Sequence, residues 1–295
     1  MNGFDSQNEN SGKFTPRNEH FPEIIEYTIT VMSKFLHVGR GKEIEIINKN
    51  KLTAGSKLAN DIITGFLSNN KRVFNNLDNA ILIKQAFSRA GDKYVIPGGT
   101  IKGAVRARLE ESLNNTCHIV TDTSSGQNKK SEYSKKYNRT FNPNEQGRSE
   151  DFSEDSFNKG EICLVCDLFG NTGLASRVSF SDAILTSDPN SYVVSEKIGN
   201  EDFETKKKGG EYELVKKGAV FEGFIVIRGN GIDKGAVYYG MGIRCKNDEE
   251  EYRDILLGRF KYRNQNFGRV RFKIKNNSDV CKNIKDFVSK YKPKI

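Results

Sequence analysis

The sequence predicts an α+β protein built on one ferredoxin-like, or RRM-like, domain. Strand-like and helix-like patterns follow one another in the order strand, helix, strand, strand, helix, strand, which is the element order of that fold. Apolar and polar residues alternate in the strands, and apolar residues recur every three or four positions in the helices. Two polar stretches interrupt this order. They predict a long insertion at about 119–162 and a protruding hairpin at about 190–217, within a single domain that covers residues 22–295.

The first strand is predicted from Glu26 to His37, where Tyr27, Ile29 and Val31 alternate with polar residues. The preceding residues, 1–21, are rich in asparagine, serine and charged side chains, with little apolar surface to bury. Such a composition is typical of a disordered tail.

The first helix follows a short β-prone run that ends at Pro97, because proline cannot donate to a sheet ladder. Gly98 and Gly99 allow the backbone to turn there. Thr100 is the expected N-cap, and a stripe of apolar residues four apart continues to Leu113.

The start of this helix is a candidate anion site, because free N–H groups and the positive end of the helix dipole favour negative charge. Lys102 and Arg106 are one turn apart on the flank expected to be exposed, with Arg108 nearby, so we expect a polymeric anion. The spacing fits neither a phosphate loop nor a dinucleotide-binding motif, which argues against a nucleotide cofactor. The alternative is an ordinary helix start with a solvated basic face.

The net charge is +9 and the pI is about 9.1, which favours a polyanionic partner, although surface charge for solubility is the alternative. Mean hydropathy is −0.64, and no apolar run approaches the ~18–20 residues that cross a membrane. The N-terminus lacks the apolar core of a secretory signal, so we expect a cytoplasmic protein. The five cysteines are odd in number, which argues against a disulfide framework, and Cys245 and Cys281 are interpreted as small apolar residues.

The predicted insertion is polar and has no sustained periodicity. Cys117 and His118 stand at its near edge, and Cys163 and Cys166 stand at its far edge. Three thiols and one imidazole can complete a tetrahedral structural zinc site that holds both ends of the insertion together. Buried free thiols are the alternative.

The segment from Ala175 to Ala183 alternates, so Val178 and Phe180 are expected to point inward and Arg177 outward. Alternating fragments on both sides of the next charged stretch predict a long hairpin. Its tip carries three consecutive lysines, Lys206, Lys207 and Lys208. They suit contact with nucleic acid, and a solvated loop is the alternative.

The last part of the chain has a strand at Ala219–Arg228, a helix expected at Asp248–Leu257, and a final amphipathic segment at Val280–Tyr291. Between the last two, residues 259–275 contain seven basic side chains and no acidic one. The end of this stretch predicts a strand with a buried face of Val270, Phe272 and Ile274 and a cationic face of Arg269, Arg271 and Lys273. The cations and aromatic residues of the preceding loop suit phosphate contact and base stacking.

Four segments resemble motifs of the RAMP superfamily, the repeat-associated proteins of CRISPR systems. They are LHVGRG (residues 36–41), IPGGTIKGAVR (96–106), CLVCDLFGNTGLASRVSFSDA (163–183) and KKGAVFEGFIVI (216–227). The last two are similar to segments of the backbone subunits of type III effector complexes, and the hairpin corresponds to their thumb. All four occur in the order of that family.

The resemblance implies a guide-RNA-binding backbone subunit of a type III CRISPR interference complex. Such a subunit binds crRNA and complementary target RNA, and it assembles with other subunits, including copies or homologues of itself. The loop at 258–268 stands where RAMP proteins have a glycine-rich loop close to RNA, although only Gly258 and Gly268 are kept. The candidate RNA-binding residues are His37, Arg40, Gly98, Gly99, Lys102, Arg106, Arg108, Lys206, Lys207, Lys208, Arg259, Lys261 and Arg263.

Asp78 in LDNAILI matches the context of a loop aspartate that cleaves target RNA in several type III backbone subunits. A carboxylate near the scissile phosphate can act as a base or hold a divalent metal such as Mg²⁺. The resemblance therefore implies a metal-dependent endoribonuclease. Asp92, just before Lys93 and Tyr94, is a second candidate carboxylate. An Asx-turn that orders the loop is the alternative for Asp78.

Two other functions stay open. A repeat-RNA processing endonuclease of the same superfamily needs a histidine or a comparable general base, but the chain has only His20, His37 and His118, and none of them has an obvious partner in the sequence. A non-catalytic RNA-binding adaptor outside CRISPR systems is the third reading.

Overall fold

The computed structural model describes residues 20–46, 60, 63–64, 67–68, 81–113, 163–170, 174–198 and 210–293. The strands are β1 Glu23–Val31, β2 Phe35–Leu36, β3 Gly39–Ile46, β4 Ile81–Phe87, β5 Arg89–Ala90, β6 Lys93–Ile96, β7 Val178–Phe180, β8 Ala183–Leu185, β9 Val193–Ile198, β10 Gly210–Lys216, β11 Val220–Ile227, β12 Ile243–Lys246, β13 Glu249–Tyr252, β14 Ile255–Leu256 and β15 Arg269–Ile274. The helices are α1 Gly98–Ser112, α2 Leu164–Phe169, α3 Pro189–Tyr192, α4 Gly231–Gly240 and α5 Val280–Tyr291.

The main sheet has the strand order β14-β15-β1-β11-β8-β6-β5, and β7 also pairs with β11. Strand β1 lies between β15 and β11 and is antiparallel to both, while β8 is antiparallel to β11. Helix α1 precedes β8 in the chain, α4 follows β11, and the two helices contact each other. This mixed α+β arrangement is compatible with the ferredoxin-like order that the sequence predicts.

The buried side of this sheet follows the predicted alternation. In β1, Ile25, Tyr27, Ile29 and Val31 are buried, whereas the intervening side chains are exposed or half-buried. In β15, Val270, Phe272 and Ile274 are buried, and the three cations that alternate with them keep contact with solvent. Because each large apolar side chain contributes about 1.5–3 kcal/mol when it is fully buried, this face fixes the register of the central strands.

Helix α1 begins at Gly98, two residues before the predicted N-cap, and Pro97 caps it without a side-chain hydrogen bond. A Cβ atom at position 98 would lie 2.1 Å from the carbonyl oxygen of Phe180. The first residue of the helix therefore packs directly against β7, and only glycine fits there.

The second helix is not where the sequence pattern put it. Residues 248–257 form β13 and β14 instead of a helix, and the helix after β11 is α4. Gly235 and Gly240 lower the helix propensity of α4, so the sequence does not predict it. A Cβ at Gly235 would lie 2.0 Å from Asn283 O of α5, and one at Gly240 would lie 2.8 Å from Val105 Cγ1 of α1. Close helix packing thus requires residues that disfavour helices.

A five-stranded sheet has the order β2-β10-β4-β3, and β9 pairs with β10. The antiparallel β9–β10 register runs from the pair Ile198–Gly210 to the pair Val193–Val215, so the two strands of the predicted hairpin do pair. The tip at 199–209, like the predicted insertion and residues 1–19, lies outside the described residues.

Two further expectations are wrong. Cys245 of β12 and Cys281 of α5 form a disulfide with a Cα–Cα distance of 5.5 Å, so they are not simple apolar fillers. Arg177 is buried between the carboxylates of Asp167 and Asp233 instead of pointing outward. It immediately precedes β7, and the two carboxylates compensate its buried charge.

Candidate nucleic-acid interface

A basic cleft of about 730 Å³ lies where four chain segments meet: the β1–β2 turn, β9, the end of β10, and the residues that enter β15. Its charged and amide lining residues are Lys34, Glu196, Lys216, Lys217, Gln265, Asn266 and Arg269. Four cations therefore face one carboxylate. We refer to this place as the basic cleft.

Backbone hydrogen bonds fix the walls of the basic cleft. Phe35 N–H donates to Asn266 O at 2.9 Å, and Gly268 N–H donates to Phe35 O at 3.0 Å. Lys217 N–H donates to Lys34 O at 3.1 Å, which ties β10 to the same turn. The cations are therefore presented by a rigid frame, as a binding site requires.

The loop at 258–268 borders the cleft and is anchored to the end of the first strand region. Gly258 has φ +82° and a Cβ there would lie 2.5 Å from His37 O, while Gly268 has φ +75° and a Cβ there would lie 2.5 Å from Leu257 O. Arg259 N–H also donates to His37 O at 2.8 Å. Both glycines thus serve close contacts within the protein itself.

The cations of this loop lie against aromatic rings. The Arg259 guanidinium lies 5.3 Å from the Tyr212 ring centroid and 5.1 Å from that of Phe260. Lys261 Nζ lies 5.2 Å from the Tyr262 ring, and burial lowers the pKa of Lys261. Arg259 and Arg263 are exposed. Arg40, in β3, is also exposed and forms a long ion pair of 3.9 Å with Glu43.

His37 is fully buried, with 0% of its surface exposed, so its side chain offers no surface for an RNA contact. Its Nδ1 lies 2.8 Å from Glu213 O, and because a carbonyl only accepts, Nδ1 carries the proton. Nε2 is left as a buried acceptor without a partner in the described part of the chain. Burial lowers the pKa of His37, which keeps the ring neutral.

The predicted anion site at the start of α1 is already occupied by the protein's own groups. Asp182 Oδ1 accepts from Gly98 N–H at 2.8 Å. Arg106, predicted to be exposed, has a side chain that is only 13% exposed, and it donates to Glu110 Oε1 and to Gly170 O at 2.8 Å each. Lys102 Nζ donates to Ser176 Oγ at 2.8 Å.

These contacts give Lys102 and Arg106 a structural role, because they hold α1 against the segments around α2 and residue 176. Burial, and then the charge of Arg106, lower the pKa of Lys102. Gly99 is exposed with open space around its α-carbon, and Arg108 is half-buried with Nη1 3.5 Å from Asp254 O.

The structure describes two of the four predicted zinc ligands, Cys163 and Cys166. Cys163 caps α2, where its Sγ accepts from Cys166 N–H at 3.5 Å, and Cys166 is buried. Two thiols one helical turn apart fit half of a tetrahedral site. No cluster of three or more metal-binding side chains occurs among the described residues. Cys117, His118, Asp78, Lys206, Lys207 and Lys208 lie outside those residues, and Asp92 is exposed in the β5–β6 turn.

Sequence reasoning missed Lys34, Lys216, Lys217 and Arg269 as one site. Lys34 lies inside the strand that the sequence predicts from Glu26 to His37, whereas in the structure it lies between β1 and β2. The available signal was the lysine pair just before the strand predicted from Ala219. Their convergence depends on pairing between distant segments.

No helix in the described ranges is long and apolar enough to cross a membrane. No curated protein matches the chain. A family model of the RAMP superfamily matches residues 28–282, which span the basic cleft, both sheets and the helices α1 to α4. Because this match covers most of the sequence, the chain belongs to the RAMP superfamily.

Proposed function

We propose that this protein is a crRNA-binding backbone subunit of a type III CRISPR effector complex, and that the basic cleft carries the guide strand. Membership of the superfamily implies a CRISPR-associated RNA-binding function, and RAMP proteins generally bind CRISPR RNA within multi-subunit complexes. The observation that carries the proposal is the convergence of four cations in one rigid cleft.

The chemistry of the cleft suits single-stranded RNA. Lys34, Lys216, Lys217 and Arg269 can each neutralise a phosphate, and the release of counterions supplies most of such an affinity. The amides of Gln265 and Asn266 add neutral donors and acceptors for sugar hydroxyls or base edges. Arg259 extends the positive surface along the bordering loop, where it is held by Tyr212 and Phe260.

The β9–β10 hairpin supports the same reading. Lys216 and Lys217 stand at its base and Glu196 lies within β9, so the hairpin forms one wall of the cleft. We infer that it is the thumb of a single domain spanning 22–295. Lys206, Lys207 and Lys208 at its tip would then contact RNA farther along the same strand.

Cleavage of target RNA is part of the proposal and is assigned to Asp78. The chain enters β4 at Ile81, and Lys84 pairs in register with Glu211 near the start of β10. Strand β4 therefore begins at the end of the sheet where β10 also begins, and Asp78 precedes β4 in the sequence. Mg²⁺ bound there would neutralise charge on the scissile phosphate.

Asp78→Ala should lower cleavage of complementary RNA at least ~10²-fold and leave RNA binding intact, whereas Asp92→Ala should cut normally. Full activity of Asp78→Ala would reassign Asp78 to a turn role.

The other readings predict different bound RNA. A repeat-processing nuclease would carry a repeat hairpin, and a general adaptor would carry mixed RNA. His37 has no exposed surface, which disfavours it as a catalytic base because RNA cannot reach its ring. Sequencing the RNA that co-purifies from the cytoplasm, where we propose the protein acts, should give uniform guide fragments. Mixed RNA would contradict the assignment.

The cleft itself is tested by the double substitution of Lys34 and Lys216 by alanine, measured as binding of single-stranded RNA across a salt series. The slope of log K against log salt should fall by about 1.4, because each single-strand phosphate contact contributes about 0.7. The matched control replaces Lys282, an exposed lysine of α5, by alanine and should bind like the parent. An unchanged slope in the double variant would exclude the cleft as the RNA site.

A further inference from the structure

A second group of cations, distinct from the basic cleft, lies beside α1. It consists of Arg108 of α1, Arg244 of β12 and Arg253, which follows β13, and we call it the arginine cluster. Arg253 N–H donates to Gly242 O at 2.8 Å, which brings Arg253 beside the start of β12. Arg108 Nη1 lies 3.5 Å from the carbonyl oxygen of the next residue, Asp254.

The protein holds Arg244 rigidly without neutralising it. The guanidinium lies 3.2 Å from the Tyr239 ring centroid, and Nη1 donates to Tyr239 O at 2.6 Å and to Ile243 O at 2.9 Å. Burial first, and then the neighbouring Arg108 and Arg253, lower the pKa of Arg244 to about 10. Burial and then Arg253 likewise lower the pKa of Arg108.

Other partly or fully buried arginines in the described structure have carboxylate partners. Arg89 pairs with Glu213, Arg106 with Glu110, and Arg177 with two aspartates. For Arg108, Arg244 and Arg253, no carboxylate oxygen of the described residues comes within 4.0 Å. The Nε atoms of Arg108 and Arg244 are buried without a hydrogen-bond partner there, as are those of Arg89 and Arg177, so the missing carboxylate is what distinguishes the cluster.

The three guanidinium groups have no carboxylate partner among the described residues, so they repel one another. An anion bound from outside the chain would remove this repulsion. Guanidinium groups match phosphate oxygens through two parallel hydrogen bonds. Acidic residues around the cluster limit the size of the anion. Glu251 of β13 pairs in register with Arg244, and Glu249 of β13 is exposed. Glu111 lies close to Arg108. These acids would repel an extended polyanion.

We propose that the arginine cluster binds one compact phosphate monoester, supplied either by a free nucleotide or by the terminal phosphate of an RNA strand. The site is independent of the basic cleft. It gives the protein a second ligand contact, on the side of α1 and β12, that responds to phosphate and not to RNA length.

Thermal unfolding of the full chain with inorganic phosphate, compared with chloride at the same ionic strength, tests the site. Stabilisation should saturate with phosphate, since a ligand that binds only the folded state raises its stability by mass action. Arg253→Ala removes one of the three guanidinium groups, so it should weaken the apparent phosphate affinity at least about tenfold. Because Arg253 is exposed, its removal should leave the fold intact. Arg108→Gln should also weaken phosphate binding. The matched control, Lys246→Ala, removes an exposed cation of β12 and should bind phosphate like the parent.

The source of the phosphate is distinguished with 5′-AMP and with one short oligoribonucleotide carrying either a 5′-phosphate or a 5′-hydroxyl. Preference for the phosphorylated oligonucleotide over 5′-AMP identifies an RNA end, and the reverse identifies a nucleotide.

The proposal is overturned if phosphate gives no more stabilisation than chloride, or if Arg253→Ala responds like the parent. It is also overturned if a hexaglutamate peptide binds the cluster more tightly than phosphate, which would make it a protein-docking surface. The Lys34 and Lys216 double variant should keep its phosphate response, so failure of one proposal is separable from failure of the other.

Discussion

Replacing Glu213 tests whether one buried carboxylate joins the main sheet to the five-stranded sheet. Its Oε2 accepts from Phe87 N–H at 2.9 Å, and its Oε1 accepts from Arg89 Nη2 at 2.6 Å and from Tyr94 OH at 2.8 Å. Glu213 and Phe87 belong to the five-stranded sheet, whereas Arg89 and Tyr94 belong to β5 and β6 of the main sheet. Three donors from both sheets therefore share this carboxylate. The backbone carbonyl of the same residue, Glu213, accepts a hydrogen bond from His37 Nδ1.

Glu213→Ala removes the ion-pair partner of Arg89 and the acceptor of a buried N–H group. Deleting one partner of a buried ion pair costs about 3–5 kcal/mol, and the lower end applies because the Arg89 side chain keeps 26% exposure. We expect a loss of about 3 kcal/mol in the free energy of unfolding. Glu213→Gln keeps an acceptor for Phe87 but loses the charge, so we expect about 1–2 kcal/mol.

Urea unfolding at pH 7, followed by circular dichroism, measures these losses. The matched control is Glu211→Ala on the same strand, which should change stability by less than about 0.5 kcal/mol. Burial raises the pKa of Glu213, but the hydrogen bonds from Phe87, Tyr94 and Arg89 outweigh burial, and the net pKa is lowered. The stabilisation is therefore present above the unfolded-state pKa, and it is lost as the pH falls through the folded-state pKa. A loss below 1 kcal/mol in Glu213→Ala at pH 7 would refute the shared-carboxylate argument.

Three further predictions concern the scaffold and the zinc site. Gly98→Ala should destabilise the protein by about 2 kcal/mol or more in urea unfolding, because its Cβ would overlap Phe180 O, whereas Gly99→Ala in open space should be neutral or stabilising by up to about 1 kcal/mol. The lowered pKa of His37 means that its contribution to stability is constant above the unfolded-state value of 6.5 and falls as the pH drops through the folded-state pKa; a His37→Gln variant should lose this dependence in a pH series of unfolding curves. Elemental analysis should find about one zinc per chain, and a zinc-free parent would contradict a zinc site at Cys163 and Cys166.

The sequence alone determined those strands and helices in which the buried residues recur with a regular spacing along one face. The alternation in β1 and β15 was predictable because burial on one face of a sheet imposes a two-residue period. The existence of α1 was predictable from its four-residue apolar spacing, and its buried Ile101, Val105 and Leu109 follow that spacing. The pairing of β9 with β10 also followed from alternation on both sides of a polar stretch.

The tertiary structure decided which charges are available. Arg106 and Lys102 look exposed in the sequence, but Glu110, Gly170 and Ser176 engage them. Helix α4 could not be recognised because its glycines serve contacts with α1 and α5 that no local pattern contains. The basic cleft and the arginine cluster combine residues from segments that are far apart in the chain. Local propensity reports on neighbours within about one helical turn, whereas the free energy of a charge depends on every group that folding brings to it.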